Sequence, residues 1–70
     1  MAITGAALQA ALGTKETNAK VVKEFGVVST YQEWYVEGNV DAPGKAKLIR
    51  TTAADNAATQ AAAVLTALRA

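Results

Sequence analysis

The sequence predicts a small α+β fold, a single domain over residues 1–70, with an N-terminal helix or helices, a β-hairpin and a C-terminal amphipathic helix. Three features carry that reading. Ala is concentrated in the two end segments, β-branched and aromatic residues crowd residues 27–36, and Pro43-Gly44 punctuates two strand-like runs. Seventy residues leave room for one domain and no second lobe.

The first element spans about residues 4–12. Thr4 suits the N-cap, Leu8 and Leu12 lie one turn apart with Ala11 beside them, and Gly13 stands where a left-handed residue would close the helix. So short a helix is unstable alone and must dock on a neighbour. Residues 15–25 read as helix or strand. Ala19, Val22 and Phe25 fall on one helical side, which favours a helix restarted by Thr14; the alternation of Val21, Lys23 and Phe25 with Val22 and Glu24 favours a strand.

The β-hairpin spans about residues 27–51. Its first strand, 27–36, places Val28, Thr30, Gln32, Trp34 and Val36 on one face and Val27, Ser29, Tyr31, Glu33, Tyr35 and Glu37 on the other. Gly38 marks a bulge or the end of pairing, and Pro43-Gly44 fits the centre of a type II turn leading into a second strand, 45–51. The last helix spans about residues 53–69, with Thr52 as its cap and Asp55 at its positive end. Its apolar stripe is Ala54, Ala57, Ala58, Ala61, Val64, Leu65 and Leu68, leaving Asn56, Thr59, Gln60 and Arg69 largely outside.

Hydrophobic residues make up 51% of the chain, but 17 of them are Ala, so the stock of large core side chains is small. A thin core predicts burial against a neighbour. With no Cys and no His, the chain lacks thiolate and imidazole ligands and the usual general base, so no catalytic residue, metal site or cofactor site is assigned. Glu33, Glu37, Asp41 and Asp55 have no calcium-loop or acid-pair spacing and read as solvated charge. A formal charge of +1 demands no polyanionic partner. No charged start precedes an apolar run, which predicts intracellular synthesis without a signal peptide, and no segment is long enough to span a membrane.

These features predict a non-enzymatic structural subunit that binds other copies of itself or a larger protein assembly. A phage or virus particle component, such as a capsid decoration or head-tail accessory protein, is the concrete form expected, which would place the chain in a virion. The interface candidates are Tyr31, Trp34, Tyr35, Val36, Leu48, Ala57, Ala61, Leu65 and Leu68. The alternative is a small nucleic-acid-binding or regulatory module, in which Lys45, Lys47 and Arg50 would contact phosphate beside the hairpin aromatics.

Overall fold

A computed structural model describes residues 2–39 and 42–69, with backbone only for Asn39 and residues 42–45. The element order is α1 (Gly5–Gly13), β1 (Lys20–Val28), β2 (Tyr31–Asn39), β3 (Ala42–Thr52) and α2 (Ala57–Arg69). The three strands form one antiparallel meander in the order β1-β2-β3. Both helices pack on the same face of it, so the α+β reading holds with one strand more than the hairpin supplied.

α1 begins where the sequence places it, because the Thr4 hydroxyl accepts a hydrogen bond from Ala7 N–H at 3.1 Å and satisfies an otherwise orphaned donor. Its end differs from expectation. Gly13 is the last helical residue and Thr14, in right-handed conformation, is the cap, with the Thr14 hydroxyl donating to the Ala11 carbonyl at 2.8 Å. No left-handed residue is needed.

Residues 20–28 are a strand, and the preferred helix there is corrected. The cause is visible in the register. Val21 pairs with Val36 and Lys23 with Tyr35, then Glu24 with Trp34 and Gly26 with Glu33, so Val22 and Phe25 are the extra residues of two bulges. Two bulges three residues apart break the two-residue period of a strand and imitate the three-residue spacing of a helix. Gly26 takes a positive φ of 96° at the second.

The predicted strand 27–36 is likewise split. Val27 and Val28 finish β1, and Ser29-Thr30 turns the chain into β2, with Val28 opposite Tyr31. Ser29 adopts a φ of 60° at the first loop position, where Gly would be at ease. Pro43 and Gly44 do not form a turn. They lie inside β3, whose pairing with β2 reaches Ala42 opposite Asn39; Asp41 lies outside the described residues. Gly38 marks the irregularity the sequence suggested, the single β2 residue opposite the three β3 residues 43–45; it has a φ of 96°, and the Asn18 carbonyl occupies the place a Cβ would take.

α2 starts later than expected. Thr52 still belongs to β3, its carbonyl accepts from Asp55 N–H in a turn, and Asn56 caps the helix by accepting from Thr59 N–H at 2.8 Å. The buried stripe shifts with it. Ala54 and Ala58 face solvent, Ala57 is half-buried, and Gln60 joins Ala61, Val64, Leu65 and Leu68 inside.

Leu8 and Leu12 from α1, Trp34 and Val36 from β2, Ile49 from β3 and the α2 apolar residues form the core. Ala61, fully buried, keeps α2 close to its neighbours. Glu24 lays its carboxylate beside Gly5 at the positive end of α1, a favourable placement against the helix dipole.

Two substitutions probe the special backbone positions. Gly38→Ala is expected to destabilise by about 3 kcal/mol or more, from the left-handed φ and the collision with backbone together, read as a lower midpoint in urea by Trp34 fluorescence. Ser29→Gly is expected to raise stability by about 1 kcal/mol in the same measurement, since a side chain in left-handed conformation costs about that.

Candidate functional site

The alternation of β2 divides the sheet into two faces of different chemistry. Gln32, Trp34 and Val36 point to the helices, while Tyr31, Glu33, Tyr35 and Glu37 point away. The inner face is closed by hydrogen bonds as well as by apolar packing. Trp34 Nε1 donates to Thr51 Oγ1 at 2.8 Å, and Thr51 Oγ1 donates to Gln60 Oε1 at 2.6 Å. Gln60 Nε2 then donates to the Asp55 carbonyl at 2.8 Å, tying the β3–α2 turn to the sheet.

Two more Gln side chains act in the same manner. Gln32 Nε2 donates to the Ile3 carbonyl at 2.8 Å and its Oε1 accepts from Ile3 N–H at 3.2 Å, fastening the N-terminal segment to the sheet. Gln9 Nε2 donates to the Ala19 carbonyl at 3.0 Å and its Oε1 accepts from Val21 N–H at 2.8 Å, fastening α1 to β1. No buried polar side-chain atom among the described residues lacks a partner.

Among the described residues, no helix lies on the outer face. Its rows follow from the register: Lys20, Glu37 and Ala46; then Lys23, Tyr35 and Leu48; then Gly26, Glu33 and Arg50; then Val28, Tyr31 and Thr52. Leu48 is 57% exposed and Tyr35 40% exposed, side by side at the centre. Charge surrounds them. Arg50 Nε donates to Glu33 Oε2 at 3.0 Å and its guanidinium stands 4.7 Å from the Tyr31 ring centre, while Lys23 Nζ stands 5.2 Å from that of Phe25. The result is an apolar centre flanked by charges, of which Glu33, Arg50 and Lys23 are engaged within the chain.

This geometry sorts the sequence candidates. Trp34, Val36, Ala61, Leu65 and Leu68 serve the chain's own core and are not available to a partner, and Ala57 is half-buried. Each lies on an inward-facing position of β2 or α2, so packing of the two helices on the sheet consumes it. Tyr31, Tyr35 and Leu48 lie on the open face, joined by Ala46 of β3 and by Lys23 and Phe25, which sequence reasoning left out of the interface because it did not place β1 in the sheet.

The basic candidates are not brought together. Lys47 reaches across the helix side to the Ala67 carbonyl at 3.0 Å, whereas Arg50 lies on the open face; the Lys45 side chain is outside the described residues. Among the described residues, no group of acidic, His or Cys side chains is arranged to hold a metal, and no helix is long and apolar enough to cross a membrane. A groove of about 360 Å³ lies between α1 and β1, and Gln9 on its wall is committed to the backbone of β1.

No protein-family model, curated protein or solved structure matches the chain.

The two faces have separable energetics. Thr51→Val deprives the Trp34 indole and the Gln60 amide of their shared partner and is expected to cost about 2–3 kcal/mol, measured by urea denaturation. Tyr35→Ser, which touches only the open face, is expected to stay within about 1 kcal/mol of the parent in the same assay.

Proposed function

We propose that the chain is a non-enzymatic structural subunit that docks its open sheet face onto protein within a larger assembly. The observation that supports this reading is the Tyr35–Leu48 centre, exposed on a sheet face that no helix covers, with Glu33–Arg50 and Lys23–Phe25 around it. An apolar centre inside a polar rim is the usual anatomy of a protein–protein contact, and aromatic residues are favoured at its middle. The sequence chemistry agrees, since a chain with neither His nor Cys is poorly equipped for nucleophilic or acid–base catalysis.

A phage or virus particle component is the concrete instance of this reading, in which a small subunit decorates or completes a multi-copy particle. Nucleic-acid binding is the weaker alternative. Lys47 and Arg50 occupy opposite faces and Arg50 is held by Glu33, so the two do not form one basic strip toward phosphate.

Co-sedimentation tests the proposal. The parent chain is expected to travel with particle-sized material from the cells that make it, and the Tyr35→Ser, Leu48→Lys double variant is expected to remain free while keeping its Trp34 emission. Parent chain found only as slowly sedimenting free protein, or a variant that stays bound, would overturn it. So would a complex whose partner is nucleic acid and which loosens steeply with salt.

A further inference from the structure

The outer edge of β3 carries information that the open face does not. In an antiparallel ladder, hydrogen-bonded pairs alternate with pairs whose N–H and C=O groups point the other way. The Ala53 N–H bond to the Thr30 carbonyl at 3.0 Å fixes the phase. In step with it, Gln32–Thr51, Trp34–Ile49 and Val36–Lys47 are the hydrogen-bonded pairs. The main-chain groups of Ala46, Leu48 and Arg50 therefore point away from β2, and among the described residues no strand lies on that side.

The two edges of the sheet differ. β1 is interrupted by bulges at Val22 and Phe25, whereas β3 keeps an unbroken register from Ala46 to Thr52. A bulged edge resists pairing and a straight one invites it. The row on β3 is also self-complementary. Antiparallel pairing centred on Leu48 sets Leu48 against Leu48 and Ala46 against Arg50, and every outward N–H and C=O of these residues then finds a partner.

Charge agrees with that register. Arg50 would lie next to Ala46 of the second copy, whose small side chain leaves the guanidinium a clear path to Glu37 in the same row, while Glu33 stays on its other side. The exposed Tyr35 and Leu48 of each copy would join into one apolar strip across the seam. α2, which packs over β3, exposes short side chains at Ala58, Ala62 and Ala63.

We infer that the chain forms a two-fold dimer by antiparallel pairing of β3 with β3 of a second copy, centred on Leu48, joining the two three-stranded sheets into one. The inference rests on the reading of the chain as an assembly subunit and names a main-chain contact along the β3 edge, distinct from docking of the open face although Leu48 belongs to both. Sedimentation equilibrium of the full chain is expected to show a dimer.

Leu48→Pro removes one outward N–H and leaves the β2 ladder whole, so it is expected to weaken the dimer roughly tenfold or more with Trp34 emission unchanged. A second measurement does not depend on how Pro is tolerated. In a chain without Cys, Leu48→Cys is expected to be joined to its twin by a short thiol-to-thiol cross-linker. Thr52→Cys is not, because four residues off centre its twin lies on the order of 25 Å away.

A monomer throughout the concentration range overturns the inference, as does equal cross-linking at positions 48 and 52. A folded Leu48→Pro protein that remains fully dimeric overturns it too. Failure of the proposed function looks different: the β3 dimer would form, yet the chain would never be found on a larger assembly.

Discussion

The hydrogen-bond relay from Trp34 through Thr51 to Gln60 is the constraint on which the rest of the structure depends. Trp34 sits at the centre of β2, Thr51 near the end of β3, and Gln60 in the first turns of α2, so one short chain of bonds sets sheet register and helix position together. Gln60 then reaches the Asp55 carbonyl and fixes the turn that delivers the helix. A buried amide displaced by one residue would lose these partners, at about 1–3 kcal/mol for each group left unsatisfied. The relay therefore discriminates against shifted packings that a smooth Ala-rich helix would tolerate on apolar grounds alone.

The same economy explains the one-sided architecture. A chain with 17 Ala cannot fill two cores, and its two helices of 9 and 13 residues cover one face of the sheet. Leu8, Leu12, Val64 and Leu68 supply bulk around Trp34, while the fully buried Ala61 keeps the layers close. Gln32 and Gln9 extend the logic to the N-terminal half, where side-chain amides grip main-chain groups of Ile3, Ala19 and Val21. The sheet face left over keeps Tyr35 and Leu48 in solvent, with partial compensation from Arg50 on Tyr31 and Lys23 on Phe25.

Much of this was legible wherever the chain follows a regular period. The β2 alternation separates Gln32, Trp34 and Val36 from Tyr31, Glu33 and Tyr35 without ambiguity, and Thr4 caps its helix. Illegible positions are those where a long-range contact overrides local pattern. Val22 and Phe25 look helical because two bulges restore a spacing of three. Gln60 looks like a solvent-facing residue because its value lies in Thr51, nine positions earlier in sequence. Pro43-Gly44 carries a strong turn signal, yet Pro at the start of an edge strand loses no ladder bond and is accommodated there. Of the open face, Tyr31, Tyr35 and Leu48 were named from sequence; Phe25 and Lys23 needed β1 in its place.

The contrast between the sheet's two edges follows from what each is packed against. β1 must follow the short helix α1, and Gln9 holds its beginning by the main chain of Ala19 and Val21, so the strand has to bend around that anchor. Bulges at Val22 and Phe25 and the positive φ of Gly26 provide the bend and, as a consequence, spoil the edge for pairing. β3 is under the opposite demand. It must keep Ile49 and Thr51 in strict alternation to serve the core and the relay, and a bulge between them would turn one of them outward. The straightness that secures the core is thus the same straightness that leaves a regular edge at Ala46, Leu48 and Arg50, and a bulge between Ile49 and Thr51 could not interrupt that edge without loosening Trp34.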